Sequence, residues 1–391
     1  MKHLPFFSFL FLTISQLASS YAEENTCFSP SLFSSSTLAL EEKNVLCKVF
    51  KNIPFADLTK KLLSTKEIHI EGVEDPYNAS MIEYGDGYLM IFRFDQPHPT
   101  EMTPFRNTYP ASNSDAPFRT FLGAVRLNKN FDQISSIKII DTGSDCSEDP
   151  RVFRAGNDIY LSYNDLEDHS TYIRGIRLAR LHPDTLDPYF VTNVNQQITQ
   201  VDQTRHMEKN WTPFAREENG EMKVYFGYSI NPHKILKMKS PQRAEMDHPI
   251  YPANITFQKL PWDEKKWGTL RGGTPAILVD GQYLAFFHTL FWQKPMAWYA
   301  MGAYTFEADP PHRVTAVSAV PILFKNCYRS FLDPNKRVLF PAGLVLGKDE
   351  DKDVLHVSCG MGDKRISVLT FDKEALLKSL APVPLFTPSE D

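Results

Sequence analysis

The sequence predicts an all-β protein, a five-bladed β-propeller preceded by a short N-terminal extension. Three observations predict it: one strand pattern recurs five times, the copies are nearly evenly spaced, and aromatic residues are abundant. Each copy opens on a short motif, often with proline, passes through a glycine-containing turn and ends in an alternating aromatic and aliphatic run. The copies span Asn78 to Arg93, Glu148 to Asp165, Trp211 to Ser229, Gly273 to Thr289 and Phe340 to Gly360. Their expected turn glycines, Gly85, Gly156, Gly220, Gly281 and Gly347, lie 71, 64, 61 and 66 residues apart. Such a period is the mark of a repeat architecture.

Four copies carry a proline six or seven residues before the glycine (Pro150, Pro213, Pro275, Pro341), and Ala79 holds that place in the first. Between copies lie further strand-like runs: Phe121 to Leu127, Ile173 to Leu181, Met296 to Phe306 and Arg365 to Phe371. Alternating Val, Ile, Tyr and Phe bounded by Gly, Asp and Asn are strand signals. Each repeat therefore has room for about four strands, the content of a propeller blade.

Composition agrees. The 391 residues include 28 Phe, 16 Tyr and 5 Trp, which suit β structure, and 28 Pro, which disfavour long helices. A hydrophobic content of 42% with 23% charged residues describes a globular chain. The net charge of −5 gives no electrostatic reason to expect a nucleic-acid partner.

The N-terminus reads as a secretory signal. Lys2 and His3 precede a mostly apolar stretch from Leu4 to Ala18, and Ser20-Tyr21-Ala22 offers a small-x-small cleavage site. The stretch is short for a membrane span, which needs roughly 20 residues. The expected organisation is a signal peptide over 1–22, an extension over 23–65, the propeller over 66–382 and a tail over 383–391. The expected location is secreted, periplasmic or in the lumen of a secretory pathway, with no membrane contact beyond the signal segment. Five cysteines are present, and Cys27 with Cys47 is the favoured bridge. No cysteine or histidine cluster has metal-ligand spacing, so no metal is expected. Asn78, Asn210 and Asn254 each begin an Asn-x-Ser/Thr sequon.

In a propeller the innermost strands line one channel, so the openings of the five copies should converge at one mouth. Those openings carry Asn78, Asp149 with Arg151, Lys209 with Asn210, and Gly272-Gly273-Thr274, with Asp363 following the last copy.

These motifs resemble the β-mannoside phosphorylases and hydrolases of glycoside hydrolase family 130, which are five-bladed propellers. The resemblance runs from about Asn78 to Phe371. It is carried by Glu148-Asp149-Pro150-Arg151, Lys209-Asn210-Trp211, Gly272-Gly273-Thr274-Pro275, Phe286-Phe287-His288-Thr289, Met301 to Tyr304 with Asp309-Pro310, Phe340 to Gly343 and Cys359 to Asp363. It implies that Asp149 is the general acid, passing a proton to the glycosidic oxygen through a sugar hydroxyl. It implies that Lys209 binds phosphate and that Asp363 holds the sugar. Asn78 and Ser80 fall where the first blade meets substrate. Arg93, Arg151, Asp165 and His288 complete the expected substrate-binding set.

The chain departs from the phosphorylase pattern around the phosphate. Arg174 and Arg177 are displaced candidates for one basic position, and Ser229 to His233 replaces a basic pair, leaving His233 as the candidate there. Inorganic phosphate is thus an expected co-substrate but water an open alternative, and no other cofactor is expected. An inverting hydrolase needs a second carboxylate as base; Asp165, Glu167 and Asp363 are candidates. Trp211, Trp292 and Trp298 could stack on a sugar or pack in the core. The expected substrate is an oligosaccharide or glycan with a β-linked mannoside-like sugar, cleaved with inversion. Two competing readings use the same fold: a glycosyltransferase with a sugar-phosphate or nucleotide-sugar donor, and a non-catalytic sugar-binding propeller.

Overall fold

The structure, a computed structural model, describes residues 49–57, 59–97, 118–168, 173–194, 207–239, 250–294, 296–324, 328 and 336–384. Two compact units divide the chain, Met1–Ile53 and Pro54–Asp391. The second is the propeller. The first blade is an antiparallel meander of β2 (Tyr77–Tyr84), β3 (Gly87–Pro97), β4 (Phe118–Leu127) and β5 (Lys138–Ile139). The second is β6 (Glu148–Ala155), β7 (Asp158–Asp168), β8 (Ile173–Leu181) and β9 (Pro188–Asn193). The third is β10 (Thr212–Glu218), β11 (Glu221–Ile230), β12 (His233–Met238) and β13 (Ile250–Thr256).

The last two blades share one ten-stranded sheet. In the fourth, β14 (Leu270–Gly272) and β15 (Ile277–Val279) form one interrupted inner strand against β16 (Gln282–Gln293), followed by β17 (Met296–Glu307) and β18 (Val314–Val317). In the fifth, β19 (Lys336–Asp349), β20 (Lys352–Met361) and β21 (Arg365–Asp372) are completed by β1 (Leu62–Ile68), which pairs antiparallel with β21. A short parallel ladder, Ala297 to Tyr299 against Lys336 to Val338, joins β17 to β19. The inner strand β19 packs on β2, which packs on β6, closing the ring.

Two expectations change. The boundary drawn between residues 65 and 66 falls inside β1, because the outer strand of the last blade comes from the start of the propeller sequence. Gly347 is not a turn glycine. Gly85, Gly156, Gly220 and Gly281 take positive φ in their hairpin turns, but in the fifth copy the left-handed residue is Glu350. Gly347 lies within β19, where a Cβ would stand 2.5 Å from His356 Nε2. It is a place of close approach between strands.

The predicted aromatic strands form the core between blades. Phe153, Tyr160, Trp211, Phe226 and Tyr228 pack between the second and third blades. Phe92, Phe94 and Phe121 pack with Ile68, Ile366 and Val368 between the first and fifth. Cys146 and Cys359 are free thiols, while Cys27, Cys47 and Cys327, with the signal segment, lie outside the described residues. Among the described residues no helix is long and apolar enough to cross a membrane.

Candidate active site at the channel mouth

Two β-bulges build the centre of the site. The register of β2 against β3 shifts between Tyr77 and Ser80, and that of β6 against β7 between Glu148 and Arg151. The residues at these shifts, Asn78 (φ 47°) and Asp149 (φ 53°), take the left-handed backbone that Asn and Asp tolerate best. A bulge re-aims the side chain it carries, and here the two meet: Asn78 Nδ2 donates to Asp149 Oδ1 at 2.8 Å. Asn78 is 4% exposed, which excludes it as a glycan acceptor.

Cations converge from three other elements. Arg93 on β3 reaches Glu148 Oε1 at 3.3 Å, Asp149 Oδ1 at 3.5 Å and Asp95 Oδ1 at 3.5 Å. It lies over the Tyr77 ring, whose hydroxyl donates to Asp95. Arg174 on β8 donates to Glu148 Oε1 at 2.8 Å and to Asn164 Oδ1 at 2.9 Å. Lys209, before β10, donates to Glu148 Oε2 at 2.8 Å. The Lys209 loop is anchored by Glu208, which accepts from Trp211 Nε1 and Tyr228 Oη and whose backbone N–H donates to the Arg174 carbonyl. Glu148 is therefore the hub of three cations.

This environment sets the charge of Asp149. Burial pushes its carboxyl up, but Arg93, then Lys209, Arg151 and the Asn78 amide outweigh burial and hold it at about 2. The unliganded site thus keeps Asp149 as a carboxylate. The neighbouring Glu148 does not raise it, because its own charge is taken up by Arg93, Arg174 and Lys209.

Several expected contacts go elsewhere. Arg151 is a brace across the channel rather than a substrate clamp. Only 1% exposed, it donates through Nε to the Gly273 carbonyl (2.6 Å) and through Nη1 to the Asp149 carbonyl (3.1 Å). Its Nη2 donates to Asn210 Oδ1 and the Gly272 carbonyl, both at 3.3 Å. Gly272 must be glycine for this approach, since a Cβ would lie 2.2 Å from the Asn210 carbonyl oxygen. Ser80 is fully buried, and its Oγ accepts from the Val152 backbone N–H, tying first blade to second. Thr274 Oγ1 accepts from the Phe286 backbone N–H behind the mouth.

Asp165 is buried under the loop before β6, accepting from Ser144 Oγ, Ser147 Oγ and the Leu166 N–H. His233 is buried between the third and fourth blades against Tyr304 and Phe306, with Nδ1 on the His312 carbonyl; burial holds it neutral, at about 4. His288 is 1% exposed, its ring 4.5 Å from Phe340, and burial with Arg151 and Arg271 nearby lowers it to about 3. These residues misled because strand alternation does not say which buried face a side chain joins. Arg177 sits opposite Tyr163 and Asn193, and its charge bears on Asp165, so Arg174 alone of the two arginines joins the Glu148 cluster. Asp363, at the β20–β21 turn, accepts from Lys336 at 2.5 Å, and Lys336 in turn is close enough to feel the charge of Arg93.

Tyr77, Asp95 and Lys336 join the site with no signal in the sequence, whereas Glu148 has one, its place beside Asp149 in the second copy. Among the described residues no group of three or more His, Cys, Asp or Glu side chains is arranged for a metal ion.

The family model of β-1,4-mannooligosaccharide phosphorylase matches residues 53–381, most of the chain. The chain belongs to glycoside hydrolase family 130. Members cleave β-mannosidic linkages as phosphorylases or hydrolases, and the phosphorylases use phosphate as co-substrate without a further cofactor, so this chain is a β-mannoside-cleaving enzyme acting on saccharides. The glycosyltransferase and sugar-binding readings are not favoured. No curated protein matches the sequence.

Solved structures of the family share its fold. A β-1,2-mannobiose phosphorylase from Listeria innocua aligns at TM-score 0.53 and 18% identity, over 83% of this chain and 97% of its own. A mannose phosphorylase from Leishmania mexicana, in complex with a phosphate ion, aligns at TM-score 0.53 and 14% identity, over 88% of this chain and 98% of its own. A structure described with the family's glycoside hydrolases that target β-1,2-mannosidic linkages in Candida mannan aligns at TM-score 0.50 and 14% identity, over 80% of this chain and 87% of its own.

Proposed function

We propose that this enzyme breaks its β-mannosidic linkage by phosphorolysis with inversion, with Asp149 as proton donor. The observation that carries the reading is the gathering of Arg93, Arg174 and Lys209 on Glu148, directly beside Asp149. Arg93, Arg151, Arg174 and Lys209 bring four positive charges, against three negative ones from Asp95, Glu148 and Asp149. The surplus grows by one when Asp149 takes a proton. An anion with several acceptor oxygens suits such a cluster, because charge-assisted hydrogen bonds are the strong ones.

In the reaction a phosphate oxygen attacks C1 of the mannoside from the side opposite the leaving oxygen. The C1–O bond breaks with its electron pair on that oxygen, which takes the Asp149 proton by way of a sugar hydroxyl. The products are α-mannose 1-phosphate and a saccharide shortened by one sugar. The proton carried by the attacking phosphate then replaces the one that Asp149 gave up.

Asp149 rests as a carboxylate, so binding must raise it. Phosphate among Arg93 and Lys209 does so twice over, by engaging the cations that hold the carboxyl down and by adding a like charge beside it. Hydrolysis would need a second carboxylate about 6.5–9.5 Å from the acid. Asp165 is engaged by Ser144, Ser147 and Leu166, and Asp363 by Lys336, so neither is free to activate water; the Glu167 side chain lies outside the described residues.

The test is product analysis on β-1,2- and β-1,4-mannobiose with and without phosphate. Phosphate-dependent α-mannose 1-phosphate is expected. Free mannose released at the same rate without phosphate would establish hydrolysis instead. We also infer export, from the apolar run Leu4 to Ala18 and the Ser20-Tyr21-Ala22 site. Mass mapping of the mature protein should find an N-terminus near Glu23, and a retained Met1 would refute cleavage.

A further inference from the structure

Four of the five tryptophans are buried core: Trp211, Trp262, Trp267 and Trp298 are each at most 5% exposed. Trp292 is 67% exposed. It stands near the tip of the β16–β17 hairpin, an unbroken ladder in which Trp292 faces Ala297, Leu290 faces Tyr299 and His288 faces Met301. Side chains alternate across a strand and directly paired residues share a face. His288, Leu290 and Trp292 therefore share one face with Ala297, Tyr299 and Met301.

The opposite face of this hairpin is fixed. Phe291 and Trp298 stack there with ring centroids 6.4 Å apart, backed by Trp267 at 5.6 Å from Phe291 and Tyr328 at 5.2 Å from Trp298. The face with Trp292 runs instead from the packing behind the site out to solvent. At its inner end His288 lies against Phe340, behind the Arg151 brace. Midway, the Tyr299 ring lies 5.3 Å from Lys336 Nζ, which pairs with Asp363 at the mouth. At the top, Ala297 is too small to cover the indole opposite it. Four residues of strand put Trp292 about 13 Å beyond His288, a span for an oligosaccharide rather than a disaccharide.

We propose that the exposed indole of Trp292 is a stacking platform for a distal sugar ring of an oligosaccharide bound at the mouth. The apolar face of a pyranose matches a flat ring that is wide, preorganised and amphipathic. Position supplies the occupant: the platform continues the surface that already holds Asp363, and the family acts on β-mannosides. The proposal rests on the mouth being the saccharide site but not on phosphate being the nucleophile.

The test compares Trp292→Ala and Trp292→Phe with the unmodified enzyme on mannotetraose and mannobiose of matching β-linkage. For Trp292→Ala, kcat/KM on the tetrasaccharide should fall about two- to tenfold, the range of a single aromatic contact. The disaccharide should change less than twofold, and Trp292→Phe should recover part of the loss. A second readout needs no turnover. In Asp149→Asn protein, mannotetraose should protect tryptophan fluorescence from iodide quenching, because Trp292 is the exposed tryptophan. Equal losses on both substrates, or quenching unchanged by tetrasaccharide, would overturn the proposal. A failure of phosphate dependence would leave these readouts intact and count against the phosphorolytic reading alone.

Discussion

Replacing Arg93 by Met should release Asp149 from its resting ionised state. Arg93 is the largest charge acting on that carboxyl, with Nη1 3.5 Å from Asp149 Oδ1. At an effective dielectric near 20, unit charges at that distance interact by about 5 kcal/mol, or roughly three pKa units. Burial, which pushes the carboxyl up, persists in the variant, as do Lys209, Arg151 and Asn78, which pull it down. The Asp149 carboxyl should therefore climb from about 2 to roughly 5. Met keeps the length and apolar stem of Arg over the Tyr77 ring, so circular dichroism should report an unchanged fold. The assay is a carbon-13 titration of labelled aspartate carboxyls, with Asp149→Asn assigning the resonance. Phosphate added to the unmodified protein should move the same resonance upward. A carboxyl in Arg93→Met that still titrates near its original position would refute the charge reasoning, whatever the variant's activity.

Asp149→Asn keeps shape and removes the transferable proton, so turnover on an unactivated mannoside should fall by about 10²–10⁴, while a 4-nitrophenyl leaving group loses far less; equal losses on both would sink the acid assignment. Lys209→Ala removes a cation from the Glu148 cluster, and should raise the apparent KM for phosphate by about tenfold, the effect of losing roughly 1.4 kcal/mol of a charge-assisted contact, with the KM for mannoside unchanged. Arg151→Met removes the side-chain donor to the Asp149 and Gly273 carbonyls, each at a cost of about 1–3 kcal/mol, so urea unfolding should show a stability loss of about 2 kcal/mol or more; a loss below about 1 kcal/mol would mean the brace is not structural.

Much of the architecture was legible because it is local. A tight turn favours glycine at positive φ, and Gly85, Gly156, Gly220 and Gly281 announce four hairpins at near-constant spacing. Gly347 shows the limit: a glycine admitted by a neighbouring His356 looks the same in sequence as one demanded by a turn. Asp149 was legible from its place in the second copy. Its charge state was not, because it depends on Arg93 from another blade and on Lys209 from the loop of a third. Ser80, His233 and His288 lie on strands where the repeat puts them, but their side chains enter the packing between blades. That choice depends on neighbours tens of residues away, which alternation along one strand cannot reveal.

Among the described residues, the strand that completes the fifth blade is the first one made. Glu67 on β1 pairs with Arg365 on β21 across 298 residues of chain. Contacts this distant in sequence form slowly, so on a ribosome the first, second and third blades, with Asn78, Arg93, Asp149, Arg174 and Lys209, emerge well before the ring can shut. Until β21 appears, β1 has no partner and its edge is open to other chains. Assembly of the Glu148–Asp149 cluster and closure of the ring are thus separated in time. A fusion or tag that impedes the return of residues 62–68 should give a protein whose early blades are built but whose last blade lacks its outer strand, prone to pair with a second copy rather than with itself.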